Sequence, residues 1–342
     1  MTSSAASSLL FLRMKTLEEA ELCFPQLLNS SCSKATRPQS VSLLIYIILS
    51  SVSLLTVTLN MLVIISISHF RQLHTSTNLL LLSLSISDFF VGFLMLFLMM
   101  LSDGCWLFGD FLCTLYNVLG YIITSASVGT MVLISVDRYV AICQPLQYPI
   151  KVTQKRVQVC VCLCWICSAF INSLLLKDNL EQPGRYNSCF GECVVVINYI
   201  AGLADLVFTF IGPVTVIIIL YMRVFVVAVS QARAMRSHVA ALPLKRSVTV
   251  TAKRSEMKAA RTLGVIIVVF LMCLSPYYWV IITGQDTLLN ASSAAFVICL
   301  FYFNSCLNPV IYAFFYPWFR KAIKIIVTLK ILQPGSCQTN ML

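Results

Sequence analysis

Residues 38–70 read PQSVSLLIYIILSSVSLLTVTLNMLVIISISHF, thirty-three positions without a lysine, arginine, aspartate or glutamate. A helix rising about 1.5 Å per residue needs roughly 20 apolar residues to cross ~30 Å of hydrocarbon, so this stretch alone predicts a membrane span. Dividing the rest of the chain at its charges leaves six more windows that are uncharged or nearly so, 72–102, 111–136, 157–176, 193–222, 262–285 and 287–319. The expected fold is therefore an all-α membrane protein, a seven-transmembrane helix bundle. Composition agrees: of 342 residues, 59% are hydrophobic and 11% charged, with a mean hydropathy of +0.88, which excludes a cytosolic enzyme or a disulfide miniprotein.

Charge orients the bundle. Six of the 24 lysines and arginines (Arg13, Lys15, Lys34, Arg37, Lys177, Arg185) fall on the N-terminal side, and 18 on the other. Positive residues stay inside, so the N-terminus is expected outside the cell and the C-terminus in the cytoplasm, with the plasma membrane as the location. The net charge of +11 is then a topology signal, and nucleic acid is excluded as a partner. Sequons Asn29-Ser30-Ser31 and Asn290-Ala291-Ser292 both fall outside in this orientation and are candidate glycosylation sites. The first 28 residues lack the pattern of a secretory signal, leaving the first span to target the chain.

The chain divides into an outer tail (1–40), the bundle (41–316) and a C-terminal region (317–342). In the last, Pro317-Trp318-Phe319-Arg320-Lys321-Ala322-Ile323-Lys324-Ile325-Ile326 separates apolar from basic residues as a short amphipathic helix lying on membrane lipid does. Residues 224–261 form a basic inner loop around Leu242-Pro243, read either as attraction to anionic lipid or as a protein-docking surface. Pro213, Pro276 and Pro309 interrupt the last three windows and are expected to kink them. Of 15 cysteines, those within spans read as small packing residues. Cys23, Cys32, Cys105, Cys113, Cys189 and Cys193 share the oxidising side, where disulfides are expected with pairing left open.

Two windows carry a carboxylate. Asp88 lies in mid-membrane, where an unpaired charge costs about 3 kcal/mol or more, so it must face polar partners; Asn60, Ser127, Asn304 and Asn308 are the candidates. Asp205 lies eight residues before Pro213, about 12 Å along the helix, in the outer half of span five. No span holds a basic residue to pair with it, and a ligand cation fits. Tyr121, Phe208, Tyr277, Tyr278 and Tyr302 are candidate walls offering cation–π faces, and Gly120 leaves a void beside them. Other classes fit less well. The odd span count and the absence of a charge series argue against a transporter, and the three histidines (His69, His74, His238) form no metal spacing or catalytic constellation. No cofactor is expected from composition.

Taken in order, Leu59-Asn60-Met61-Leu62-Val63, Asp88 after Leu82-Ser83-Leu84-Ser85-Ile86-Ser87, Cys113, Asp137-Arg138-Tyr139, Trp165 and Asn308-Pro309-Val310-Ile311-Tyr312 resemble the signature of rhodopsin-like (class A) G-protein-coupled receptors over residues 40–330. The stretch from Asn304 to Phe319 further resembles the fingerprint of trace amine-associated receptors. The tail Cys23-Phe24-Pro25 with Asn29-Ser30-Ser31-Cys32 resembles the branch expanded in fishes for olfactory amine detection.

The resemblance implies a small-amine ligand, a heterotrimeric G protein of the cAMP-raising class as partner, and a sodium ion at Asp88 with Ser127, Asn304 and Asn308. It also implies a Cys113–Cys193 bridge and a second from Cys189 to Cys23 or Cys32. Arg138, beside Asp137 and Tyr139, would pair with Glu256 across the inner ends of spans three and six. Breaking that clamp would let span six swing out, with Tyr221 and Tyr312 capturing Arg138. Two departures stand out. Relatives usually anchor the amine with an aspartate 18 residues before the arginine, where this chain has Gly120, so Asp205, matching an alternative aspartate of some fish members, inherits that role. Leu274 replaces the usual tryptophan of span six, with Phe270, Tyr277 and Trp279 as the neighbouring substitutes. The alternative is a class A receptor for a non-amine odorant or peptide.

Overall fold

A computed structural model of the chain describes residues 21–35, 37–239, 264–279 and 291–341, with the side chains of 231–239, 291–296 and 298 left out of the description. Glu256, Asn290 and the Leu242-Pro243 centre of the basic loop lie outside the described residues. Among the described residues a helix follows each of the seven windows, five of them long and apolar enough to cross a membrane: α1 (Gln39–His69), α2 (Ser76–Asp103), α3 (Gly109–Cys143), α4 (Gln154–Leu175) and α5 (Tyr199–Asp205 and Gly212–Val239, joined through Leu206–Ile211), with α6 (Gly264–Trp279) and α7 (Ala291–Phe315) after them. The amphipathic α8 (Pro317–Val327) comes next, with Trp318, Phe319 and Ala322 buried along one face. Among the described residues there is no strand, only the isolated bridges Leu22 with Ser33 and Ser31 with Phe190.

Local chemistry sets the helix ends. Thr75 and Thr153 cap α2 and α4 by accepting from Asn78 N (3.2 Å) and Arg156 N (3.4 Å), and Asn198 caps α5 through Ile200 N (3.2 Å). Gly104, at φ 73°, ends α2 in the left-handed conformation that glycine adopts without strain. Helices α2 and α3 occupy the middle, with α3 touching α2, α4 and α5 and with α7 against α1 and α2. Asn60 Nδ2 ties α1 to α7 through Ser305 O at 3.0 Å, and Trp165 Nε1 ties α4 to α2 through Ser83 Oγ at 3.1 Å. At Gly92 the α1–α2 approach is so close that a Cβ would sit 2.8 Å from Val57 Cγ2, and Ser53 Oγ donates to the Gly92 carbonyl at 2.7 Å.

The proline in α5 produces a π turn. Leu206–Ile211 is wound as π-helix, with Gly212 N–H reaching Val207 O five residues back, just before Pro213. Proline supplies no N–H and its ring crowds the preceding turn, and one extra residue in that turn relieves both.

Three disulfides gather at one end of the bundle. Cys113–Cys193 joins α3 to the α4–α5 loop, Cys32–Cys189 pins the N-terminal segment to the same loop, and Cys23–Cys105 pins it to the α2–α3 loop. The first two answer the sequence expectation and resolve its alternative in favour of Cys32; the third was not foreseen. Phe24 packs edge-on against Phe190 at 5.0 Å, and Cys32 N, Phe190 N and Trp106 N donate to Phe190 O, Ser30 O and Gly191 O. At the other end the chain reverses after α8 at Leu329 (φ 56°), and the tail docks on the α1–α2 turn. His69 Nε2 lies 2.9 Å from Ser336 Oγ, Met341 N donates to Gln72 Oε1 at 2.8 Å, and Met341 is buried.

Candidate functional site

A cavity of about 180 Å³ opens within the disulfide-bearing half of the bundle. Asp205 and Thr209 reach it from α5, Tyr277 and Tyr278 from α6, and Phe301 and Tyr302 from α7; Asn117, Gly120, Tyr121 and Thr124 reach it from α3. Asp205 is the single carboxylate among the described residues that line it. Thr209 Oγ1 donates to Asp205 Oδ1 at 2.7 Å, fixing the orientation of the carboxylate from four residues along the same helix.

The wall is a chain of rings. Phe210 stacks on Tyr278 with centroids 4.1 Å apart; Tyr278 meets Tyr277 at 5.3 Å, Tyr277 meets Phe301 at 4.9 Å, and Phe301 meets Tyr302 at 5.6 Å. Tyr116 and Tyr121 add two further phenol rings to the lining from α3. At Gly120 a Cβ would meet only Leu94 Cδ1 and Tyr302 Oη, both at 3.9 Å, ordinary contact distance.

Of the expected wall residues, Tyr121, Tyr277, Tyr278 and Tyr302 line this cavity, and Gly120 opens onto it. Phe208 is a correction. It is 72% exposed on the outer surface of α5, and Phe210 takes the inward place. The extra residue of the π turn slips the helical register, so a reading at regular α spacing chooses the wrong phenylalanine. Tyr116, Asn117, Thr124 and Thr209 were missed, although steps of three and four from Gly120, Tyr121 and Asp205 reach all of them. Leu274 is buried beside Phe270 in the core, whereas Trp279 is exposed and fills no tryptophan-sized role there.

Below the cavity Asp88 is fully buried and accepts from Asn308 Nδ2 at 2.8 Å. Asp88 Oδ1, Asn60 Oδ1, Asn304 Oδ1, Asn308 Oδ1 and Ser85 Oγ are buried oxygens with no hydrogen-bond partner in the structure. Ser127 is buried three residues past Thr124 on α3. Uncompensated oxygens around a buried carboxylate suit a hard cation.

At the α8 end, Arg138 Nε donates to Asp137 Oδ2 at 2.9 Å, and the guanidinium also donates to Thr77 Oγ1. Tyr148 Oη donates to Asp137 Oδ1 at 2.9 Å, and burial together with the Asp137 charge pushes the phenol up, keeping it a donor. Thr77 and Tyr148 are partners that sequence reasoning did not supply. Tyr139 packs with Ile142 and Val224, joining α3 to α5. Tyr312 is fully buried, 6.0 Å from Tyr316 between ring centroids, and Tyr221 lies against α6, close to Gly264. Glu256, the expected partner of Arg138, lies outside the described residues.

Residues 59–312 match the model of the 7 transmembrane receptor (rhodopsin family). The chain is 38% identical over 335 residues to trace amine-associated receptor 13c of Danio rerio, covering 95% of this chain and 97% of that protein. It is 38% identical over 336 residues to trace amine-associated receptor 8b of Rattus norvegicus (94% and 96% covered), and 37% identical over 328 residues to trace amine-associated receptor 5 of the same species (93% and 94%). The chain is thus a multi-pass membrane receptor, not an enzyme, and belongs to the rhodopsin family of seven-transmembrane receptors and within it to the trace amine-associated receptors.

Proposed function

We propose that this receptor sits in the plasma membrane with its N-terminus outside, binds a small amine through Asp205, and signals through a heterotrimeric G protein of the cAMP-raising class, in an olfactory setting. The observation that carries the ligand reading is the single carboxylate among the described residues lining the cavity, oriented by Thr209 and faced by aromatic rings. An ammonium there gains a charge-assisted pair in a half-dry site and cation–π contacts worth about 0.5 to 2 kcal/mol each. Gly120 offers no competing anchor, so the amine approaches from the α5 side.

Binding acts on a two-state bundle. Arg138 is held by Asp137 and Thr77, with Tyr148 on the far carboxylate oxygen. Its release to the Tyr221 and Tyr312 hydroxyls and an outward swing of α6 would open a cleft for the G protein. A sodium ion, when bound, would offset the Asp88 charge, and the unpartnered oxygens of Asp88, Asn304 and Asn308 fit it. Asn29 stands exposed on a turn, as a glycan acceptor must.

The test is cAMP accumulation in cells challenged with a panel of amines, comparing wild type with Asp205→Asn and Arg138→Ala. Lost potency in the first and lost efficacy in the second are expected. Agonism by neutral odorants or peptides without amine agonism would favour the alternative receptor reading, in which the aromatic cavity takes an uncharged ligand.

A further inference from the structure

We infer that residues 329–341 are an autoinhibitory clasp: folded back onto the α1–α2 turn, they hold α8, and through it Tyr312 of α7, in the resting position, so that undocking them raises signalling without a ligand. This rests on the reading that Tyr312 moves to Arg138 when the receptor switches, and adds what restrains that move.

The fold-back is built from several independent contacts. Leu329 takes a left-handed φ of 56° and Gly335 one of 79°, and these reversals turn the chain after α8 back toward α1. Two short 3-10 turns follow them, Lys330–Leu332 and Ser336–Gln338. Ser336 Oγ donates to Ile331 O at 2.6 Å and lies 2.9 Å from His69 Nε2 at the end of α1. Met341 N donates to Gln72 Oε1 at 2.8 Å, and Met341 is only 2% exposed. It belongs to the buried cluster that holds Phe70 and Leu73 of the α1–α2 turn and Trp318, Phe319 and Ala322 of α8. A leucine is strained in the left-handed region, so the docked contacts outweigh that strain.

Helix α8 is in turn fastened to the switch. Phe319 is fully buried, with its ring edge-on to Tyr312 at 6.5 Å, and Tyr316 stands 6.0 Å from Tyr312 and 5.8 Å from Trp318. Arg320 Nη1 donates to Ala313 O at 2.9 Å and to Phe314 O at 3.0 Å, joining α8 to the last turn of α7. Tyr312 therefore travels toward Arg138 either by leaving Phe319 or by drawing α8 with it, since packed side chains shift between discrete arrangements. With α8 held against the α1–α2 turn by Ser336 and Met341, the second route is shut. The clasp contacts are made in the resting state and strained or lost in the other, which is the differential interaction that biases a two-state equilibrium.

Hydrogen exchange on the purified full-length receptor, together with ligand-independent cAMP per receptor at the cell surface, tests this in Met341→Asp and Leu329→Gly. Met341→Asp puts a charge into the buried cluster. It should speed exchange of the Gln338, Thr339 and Met341 amides at least about tenfold, speed the Tyr316 and Phe319 amides at the α7–α8 joint as well, and raise basal cAMP about twofold or more. Leu329→Gly removes the left-handed strain and should act in the opposite direction, with tail exchange about two- to fivefold slower and a lower basal signal. Should Met341→Asp fail to reach the surface, Gln72→Ala removes only the acceptor for Met341 N and should give the same signs at smaller size. Released tail amides with an unchanged α7–α8 joint overturn the inference. So does a wild-type tail that exchanges as fast as an unstructured peptide, or a basal signal that rises in Tyr148→Phe but not in Met341→Asp. A joint that responds to Met341→Asp while basal cAMP stays at background in every receptor, Tyr148→Phe included, upholds the clasp and counts against the cAMP-raising coupling instead.

Discussion

Replacing Asp205 by asparagine removes one negative charge and almost nothing else. The amide has the shape of the carboxylate, and Thr209 Oγ1, now 2.7 Å from Oδ1, keeps an acceptor to donate to. What is lost is the attraction for an ammonium about 4 Å away. That attraction is worth ~1 kcal/mol in water and ~4 kcal/mol at the effective dielectric of a partly buried pair. Asp205 is half-buried in a small cavity, which places the loss at about 2 to 4 kcal/mol, or roughly thirty- to a thousandfold in potency. An exposed pair would lose about 0.2 to 1 kcal/mol, fivefold or less. The assay is an amine dose–response read as cAMP, normalised to receptor at the cell surface. A shift smaller than fivefold at normal surface expression would mean the ammonium is neutralised elsewhere or in open water, and the site argument would fall.

Thr209→Val deletes a hydrogen bond to a charged acceptor, worth about 1.5 kcal/mol, and should weaken amine potency about tenfold, with Thr209→Ser restoring it in the same dose–response. Joint Cys23→Ser and Cys105→Ser exchange opens a link spanning 82 residues, for which chain entropy gives about 4.5 kcal/mol; a lower unfolding midpoint of the purified receptor is expected, and an unchanged midpoint would show that Cys32–Cys189 alone secures the segment. Gly92→Ala forces a Cβ to 2.8 Å from Val57 Cγ2 and 3.1 Å from the Val57 backbone nitrogen, so α1 and α2 must separate at a cost of about 1 to 3 kcal/mol, visible as reduced thermal stability. Tyr148→Phe removes the far-side donor to Asp137 and should raise ligand-independent cAMP by loosening Arg138, whereas an unaltered baseline would place Tyr148 outside the switch.

The amino-acid order by itself determined the spans, because an uncharged run of twenty or more residues has one low-energy arrangement in lipid. Window 38–70 became α1 (Gln39–His69) for that reason alone. Where charge marks the boundary but does not break a helix, the reading ran short: α3 continues through Asp137 and Arg138 to Cys143, since the two residues neutralise each other. The order also isolated Asp205 and Asp88, which hydrocarbon makes conspicuous. Tertiary structure alone decided everything that depends on which residues meet. Which cysteines pair is a matter of loop proximity, and Cys23 and Cys105 are 82 residues apart in the chain. The choice of Phe210 over Phe208 turned on one extra residue in the α5 π turn, a response to Pro213 that no hydrophobic period encodes. The run of ring contacts from Phe210 through Tyr278, Tyr277 and Phe301 to Tyr302 exists only because α5, α6 and α7 bring those side chains together.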